Sequence, residues 1–288
     1  MQAQPTDSAP RTGSDKPFLI SLATIGGLYV LLIVAMLIAD ASFTTPAHFL
    51  EALQSEQIRY AIWLSLISCT ITMVLSVWVA VPTGYLLSRW HRDRPDVLPW
   101  LRQLIDAILD IPIVLPPLVI GLSLLILFQT SPGRWLERQT QHWFGTQITY
   151  AVPSVILAQF AVAAAFAVRT MRVTFDQINP RSEQVALTLG CSRSQAFFLV
   201  VLPEARRGML TAATLAWARS LGEFGPILVF SGATRMRTEV LPTSVFLELS
   251  VGHIETAVAV SLLMVACALI VLIVMRVFGA TDSFGKGA

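Results

Sequence analysis

Charged residues are scarce in this sequence. Asp, Glu, Lys and Arg make up 13% of the 288 residues, whereas 55% are hydrophobic. An average soluble domain has about 25% charged residues, so this composition excludes an ordinary soluble domain and predicts a membrane protein with several spans. The 20 basic and 18 acidic residues leave a net charge of +2, which gives no reason to expect a nucleic-acid partner.

Motifs of catalytic and metal sites are also missing. The chain has no G-x-x-x-x-G-K-[ST] phosphate loop, so we expect it not to hydrolyse ATP itself. Its four histidines are scattered without H-E-x-x-H spacing, and no cluster of Cys and His offers metal ligands. The three cysteines fall in two predicted spans and one loop, so we expect no disulfide on the outer side. We therefore assign no catalytic residue, metal or cofactor to this chain.

Long apolar runs dominate what is present. A helix needs about 20 apolar residues to cross roughly 30 Å of hydrocarbon, and runs of this length suit helices rather than the strands of a barrel. The predicted fold class is an all-α integral membrane protein with a six-helix transmembrane bundle over residues 18–280. We expect a disordered cytoplasmic tail at 1–17 and a cytoplasmic C-terminal tail at 281–288. The six predicted spans are 18–39, 61–87, 104–128, 151–168, 208–230 and 256–278.

The basic residues predict which side of the membrane each loop faces. If both termini are cytoplasmic, the basic residues on the outer side are only Arg59, Arg134, Arg138, Arg235 and Arg237. Arg219 lies within a span, and every other Lys and Arg lies inside. The positive-inside rule expects this bias. We therefore predict a multi-pass membrane protein, surrounded by membrane lipid, with both termini and loop 169–207 in the cytoplasm.

The end of that loop has the pattern of a helical hairpin. Asn179-Pro180 is typical of a helix start, and Gly190 is typical of a helix end. Ser192 and Gln195 match an S-x-x-Q capping box at the start of a second helix, which is apolar up to the next proline. A polar, doubly capped hairpin between two apolar spans predicts a docking surface for another protein.

One ion pair is predicted inside a span. Arg219 and Glu223 are four residues apart in WARSLGEFGP, so they share a helix face and can pair, which lowers the cost of either charge in hydrocarbon. The pair either serves the function or holds this helix to a neighbour. Gly222, Gly225 and Pro226 predict an interruption here, and the prolines of IPIVLPPLVIG predict another in the third span.

The hairpin resembles the EAA loop of ABC-importer permeases, which receives an ATPase subunit. Gln184 stands at the position of the family's Glu, and Glu183 lies one residue earlier. LPPLVIGL, ARSLGEFGP and TEVLPTSVFLELSVGHIETAVAVSLL extend the similarity to permeases of the molybdate, tungstate and sulfate importers. The residues that match the EAA pattern are Gln184, Val185, Ala186, Gly190, Val200, Val201, Leu202 and Pro203.

This resemblance implies a transport subunit, not an enzyme, that lies in the cytoplasmic (inner) membrane of a prokaryote and moves a tetrahedral oxyanion by alternating access. It implies ABC ATPase subunits that hold ATP and Mg at the cytoplasmic face, a periplasmic or extracellular substrate-binding protein, and a second permease copy that is identical or related. The implied ATPase-coupling residues are Glu183, Gln184, Ala186, Gly190, Leu202 and Pro203. The candidate residues of the translocation pathway are Arg219, Ser220, Glu223, Ser65, Ser68 and Thr72.

Several alternatives stay open at this point. Each candidate hydroxyl can instead bond to a carbonyl of its own helix. The substrate of the same machinery is alternatively phosphate or an organic solute. A secondary transporter would need ion-coupling carboxylates or an inverted repeat, and no repeat is visible in the sequence. A membrane-embedded enzyme would need polar groups that converge at one depth, and only Arg219 with Glu223 meets that condition.

Overall fold

The computed structural model describes residues 16–93 and 99–284, and every regular element in those ranges is helical. Contacts divide the chain into two units, and the boundary in the sequence falls between Thr45 and Pro46. The elements are α1 (Lys16–Phe43), α2 (Pro46–Gln54), α3 (Glu56–Asp93), α4 (Pro99–Val114), α5 (Pro117–Gln129), α6 (Ser131–Phe144), α7 (Val152–Gln177), α8 (Pro180–Thr188), α9 (Arg193–Ala196), a π-helical turn (Phe197–Val201), α10 (Leu202–Glu204), α11 (Arg206–Leu221), α12 (Gly225–Phe230), α13 (Leu241–Val251) and α14 (Ile254–Phe284).

The first unit contains one helix, α1, whose Phe18–Phe43 stretch is long and apolar enough to cross a membrane. Apolar residues occupy its whole circumference, as expected of a span in lipid. The helix begins at Lys16, inside the tail predicted for residues 1–17, and residues 1–15 lie outside the described residues.

In the second unit, three helices of the described chain meet the same criterion, within α3, α7 and α14. Together with α1 they make four, and α4 with α5 adds a fifth only if a pair bent by 112° is one span. The predicted count of six spans is therefore not confirmed. At its C-terminal end α14 continues to Phe284, into the predicted tail, and residues 285–288 lie outside the described residues.

Proline and glycine explain why two predicted spans are not single helices. The third, 104–128, breaks between α4 and α5 because Pro116 and Pro117 have no N–H to continue the hydrogen-bond ladder. The fifth, 208–230, breaks between Leu221 and Gly225, where α11 ends and α12 begins. Both interruptions were predicted from the sequence, and they are the reason why the count of six spans is not confirmed.

The centre of the second unit consists of α3, α7 and α11, which pack against one another. Small side chains allow this close packing, and those fully buried between the helices include Ala80, Ala163, Ala167, Ala212 and Ala216. Gly84 of α3 marks the closest approach, since a Cβ there would lie 2.9 Å from the backbone nitrogen of Arg172 on α7. The three helices therefore form a tightly packed frame on which the remaining elements are arranged.

The two interrupted segments contact each other, because α12 packs on α5. A Cβ on Gly121 of α5 would lie 2.8 Å from the Cα of Pro226, and one on Gly225 would lie 3.0 Å from the backbone nitrogen of Leu118. The motifs LPPLVIGL and GEFGP thus meet through glycines that leave room for the opposing backbone.

Candidate functional site

The hairpin has both of the caps predicted from the sequence. The Asn179 side chain accepts a hydrogen bond from the backbone N–H of Arg181 at 3.0 Å, and Gly190 ends the turn with φ 92°. Ser192 and Gln195 form a reciprocal capping box, with distances of 3.3 Å from Gln195 N to Ser192 Oγ and 2.8 Å from Ser192 N to Gln195 Oε1. These local bonds define the hairpin, which comprises residues 180–204, independently of any partner.

Glu183 points inward from this hairpin, toward α3. Its Oε2 lies 3.0 Å from Nε of Arg89, and its Oε1 accepts a hydrogen bond from the Tyr85 hydroxyl. The side chains of Arg89 and Glu183 are only 11% and 13% exposed. The Tyr85 ring in turn packs against Phe197 of the hairpin, with ring centroids 4.7 Å apart. Glu183 therefore attaches the hairpin to the central helix α3.

Other coupling candidates lie on different sides of the hairpin. Ala186 is buried, Leu202 is half-buried, and Gln184 and Pro203 are exposed. Large apolar side chains are exposed as well, namely Val185, Leu189, Phe198 and Leu199. Exposed apolar side chains grouped on one short element are typical of a protein-interaction surface.

Arg219 and Glu223 form the predicted ion pair at the break between α11 and α12. The distance from the Arg219 guanidinium to Glu223 Oε1 is 2.7 Å. Glu223 is 1% exposed, whereas Arg219 is 29% exposed and lies over the ring of Phe166, 5.6 Å from its centroid. The arginine thus keeps donors available at the surface while a buried carboxylate holds it in place.

The four candidate hydroxyl residues lie inside the helix packing. Ser65, Ser68, Thr72 and Ser220 are at most 1% exposed. The Ser68 and Ser220 hydroxyls donate to carbonyls of their own helices, Ser65 O and Ala216 O, at 3.2 Å and 2.7 Å. Ser65 Oγ accepts from the N–H of Leu241 at 2.8 Å, which joins α3 to the start of α13. Of the predicted pathway residues, only Arg219 reaches an open surface.

Gln159 of α7 contacts two of the candidate pathway residues, and the sequence interpretation missed it. It is 1% exposed, its Oε1 accepts from the Thr72 hydroxyl at 3.2 Å, and its Nε2 donates to Ser220 O at 3.3 Å. The amide therefore links α3, α7 and the last turn of α11, next to Arg219. A single amide within the apolar run LAQFAVAAAF was the signal that could have identified it.

Two further ion pairs connect α4 to α7. The distances are 2.8 Å from Arg169 to Asp110 and 2.6 Å from Arg172 to Asp106. Two aspartates inside a predicted span indicate that one side of α4 contacts protein or water rather than lipid. The pairs hold α4 along the end of α7 that leads into the hairpin.

A polar cluster lies between α12 and α13, on the predicted outer side. Arg235 is 2.9 Å from Glu248 and 3.7 Å from Glu239, and its guanidinium donates to Gln57 of α3 at 2.5 Å. Burial raises the pKa of the Glu239 carboxyl, and the hydrogen bond from Ser244 opposes that rise. His253 approaches Glu248 at 3.2 Å. Within residues 16–93 and 99–284, no three His, Cys, Asp or Glu side chains are placed to hold a metal ion.

Curated proteins with similar sequences are transport permeases. The chain is 29% identical over 247 residues to the sulfate transport system permease protein CysT of Escherichia coli, covering 85% of both chains. It is 33% identical over 263 residues to the molybdenum transport system permease protein ModB of Mycobacterium tuberculosis, covering 90% of this chain and 94% of that protein.

Solved structures share the fold. A bacterial ABC transporter that imports the acidic polysaccharide alginate aligns with a TM-score of 0.66 at 20% identity, over 93% of this chain and 96% of that one. An inward-facing MetNI methionine ABC transporter aligns with a TM-score of 0.54 at 19% identity, over 80% of this chain. The family described as binding-protein-dependent transport system inner membrane component matches residues 80–281. The chain belongs to this family, and it is a multi-pass transport subunit rather than an enzyme.

Proposed function

We propose that this chain is the membrane-spanning subunit of an ATP-driven importer of a tetrahedral oxyanion, in the class of sulfate, molybdate and tungstate. The observation that carries the substrate class is that relatives named for sulfate and for molybdenum transport align with 85% and 90% of the chain. The partly exposed Arg219 supports it, because a guanidinium held by a buried carboxylate presents fixed donors to an anion. Phosphate or an organic solute is the less favoured alternative.

The proposed partners follow from the family and from the hairpin. ABC ATPase subunits hold ATP and Mg and dock on the exposed side chains of the hairpin, which faces the cytoplasm together with both termini. A substrate-binding protein delivers the anion from the outer side, and a second permease copy, identical or related, completes the membrane part. Selectivity then resides mainly in the binding protein, while this chain provides the pathway.

Under this proposal, Glu183 and Gln184 have different roles in coupling the ATPase to the membrane helices. Gln184 is exposed and contacts the ATPase, whereas Glu183 transmits hairpin movement to α3 through Arg89 and Tyr85. Because α3 packs along α7 and α11, a displacement at the hairpin reaches the helix break that carries Arg219. Alternating access then requires these helices to move as packed bodies rather than to deform individually.

Reconstitution tests the proposed function directly. The chain is purified with its ATPase and placed in liposomes with ATP inside, and uptake of radiolabelled sulfate and of molybdate is measured with and without the binding protein. We expect uptake that requires both ATP and the binding protein. Titration calorimetry of the binding protein against sulfate, molybdate, tungstate and phosphate identifies the preferred anion. Tight binding of a solute that is not an oxyanion would disprove the substrate assignment.

A further inference from the structure

A groove of about 670 Å³ opens between α7 and α11, on the side of the molecule that carries Arg219. Phe166 is part of its wall, and the Arg219 guanidinium lies 5.6 Å from the centre of that ring. At its other end the groove is lined by Arg207, close to the point where the hairpin joins α11. The groove therefore runs from the Arg219–Glu223 ion pair toward the hairpin.

The register of α11 accounts for the polar lining. Arg207, Thr211, Leu215 and Arg219 follow one another at intervals of four, so they form one stripe along the helix. At 1.5 Å per residue the two arginines at its ends are about 18 Å apart. On α7, Arg169 also lines the groove, and it stands between Phe166, which contacts Arg219, and Thr174, which lies next to Gly208. Guanidinium groups are thus available at successive positions along its length.

This side of α11 differs from the opposite side in chemistry. Met209 and Ala213, half a turn away, line an apolar cavity of about 540 Å³ together with Trp78 and Phe198. Lipid chains suit such a surface, but a surface with two arginines and several threonines is unfavourable against lipid. The groove side of α11 consequently faces water or protein.

The hydrogen-bonding state of the groove residues identifies the donors. The hydroxyls of Thr170 and Thr211 already donate to Phe166 O and Arg207 O of their own helices, at 2.9 Å and 3.0 Å. Arg169 is 63% exposed and shares its guanidinium with Asp110 at 2.8 Å. The Arg207 side chain is exposed, and it lines the groove near Glu204. The guanidinium groups, together with the Gln177 amide, are therefore the donors that an oxyanion would meet, and Glu204 is the one carboxylate in the described lining of the groove.

We propose that this groove is the cytoplasmic half of the anion route, in which the oxyanion passes from Arg219 to Arg169 and then to Arg207 before release. This inference rests on the proposed function. Arg169 is already neutralised in part by Asp110, and Arg207 is exposed to water, so each holds the anion weakly. Conduction requires such successive weak sites, because a tight site would retain its ligand. The rival occupant of the groove is a second copy of this chain packed against α11.

Cysteine labelling separates these two occupants. In a variant without Cys69, Cys191 and Cys267, Thr211→Cys is compared with Ala213→Cys, which is on the same helix but lines the apolar cavity. In the assembled transporter an anionic methanethiosulfonate should modify Thr211→Cys faster, and saturating transported anion should slow that reaction. Equal rates at the two positions, or efficient disulfide formation between two copies through Thr211→Cys, would overturn the proposal.

Neutralising one arginine is the second test, and it needs no cysteine background. Arg207→Gln should lower the maximal uptake rate about threefold to fivefold, the scale of one solvent-screened ionic contact. Arg207→Lys should keep most of the rate, and Arg138→Gln on α6 is the matched control outside the groove. Co-purification of the ATPase verifies that assembly is intact. Unchanged uptake in Arg207→Gln would contradict the role of this arginine.

The unmodified transporter is measured first, so that the two possible failures are distinguishable. If it takes up no oxyanion although the binding protein stimulates its ATPase, the proposed function fails, and the groove proposal fails with it. If it takes up oxyanion normally and the groove variants do as well, only the groove proposal fails.

Discussion

At the scale of single residues, Glu183 and Gln184 differ more than their adjacent positions suggest. The carboxylate of Glu183 is largely buried against Arg89 and Tyr85, whereas Gln184 is exposed. Substitution at the two positions should therefore affect different properties, one the attachment of the hairpin and the other its contact with a partner.

Glu183→Gln should lower stability by about 1–3 kcal/mol, because it leaves the poorly exposed Arg89 without its carboxylate. Gln184→Ala should leave stability unchanged. Thermal unfolding of the purified chain in detergent measures the difference, and Arg89→Gln combined with Glu183→Gln should recover part of the loss. Equal melting temperatures for Glu183→Gln and the unmodified chain would show that the contact contributes nothing to hairpin attachment.

Arg219 and Glu223 should respond unequally to removal of a partner, because their burial is unequal. Arg219→Gln leaves a fully buried carboxylate without a cation and should destabilise by about 3–5 kcal/mol. Glu223→Gln leaves an arginine that is 29% exposed and reaches water, so its cost should be smaller. Melting temperatures of both variants and of the double variant measure this asymmetry.

Uptake by the double variant Arg219→Gln with Glu223→Gln distinguishes a pathway role from a structural one. If Arg219 contacts the anion, expression and stability should recover in the double variant while uptake stays low. Recovered uptake would instead assign the pair to structure alone.

At the scale of elements, the contact between α5 and α12 depends on two glycines, Gly121 within α5 and Gly225 at the start of α12. Gly121→Ala should destabilise by about 1–3 kcal/mol, since its Cβ would lie 2.8 Å from the Cα of Pro226, a backbone atom that cannot rotate away. Gly222→Ala, in the break between α11 and α12, is the control, because the atoms nearest to its Cβ would be 3.9 Å away and its φ is −82°. Similar melting temperatures for the two variants would mean that the breaks are not closely packed.

At the scale of the whole molecule, the distribution of arginines predicts how the chain crosses the membrane. Ser192→Cys in the hairpin should be protected from a membrane-impermeant thiol reagent added to intact cells, in a background without native cysteines. Gln141→Cys on α6 should react, because that helix is predicted to lie outside. The opposite pattern would place the hairpin on the outer side, where no ATPase could dock.

The sequence alone was sufficient for properties determined by near neighbours in the chain. The caps at Asn179 and Ser192, the turn at Gly190 and both helix breaks are present in the structure, because each depends on bonds or sterics within a few residues. The apolar composition likewise determined the helical membrane class, since backbone groups in lipid must be paired internally.

The contacts between side chains that are distant in sequence are determined by the tertiary structure. Arg89 and Glu183 are 94 residues apart in the chain, and no local pattern indicates that they form a pair. The 112° bend between α4 and α5, and the burial of Ser65 and Thr72, likewise depend on how helices distant in sequence pack. Helical periodicity shows which residues share a face, but not whether that face meets a neighbouring helix, lipid or water. For this reason only the tertiary structure shows that the charged stripe of α11 borders a groove beside α7.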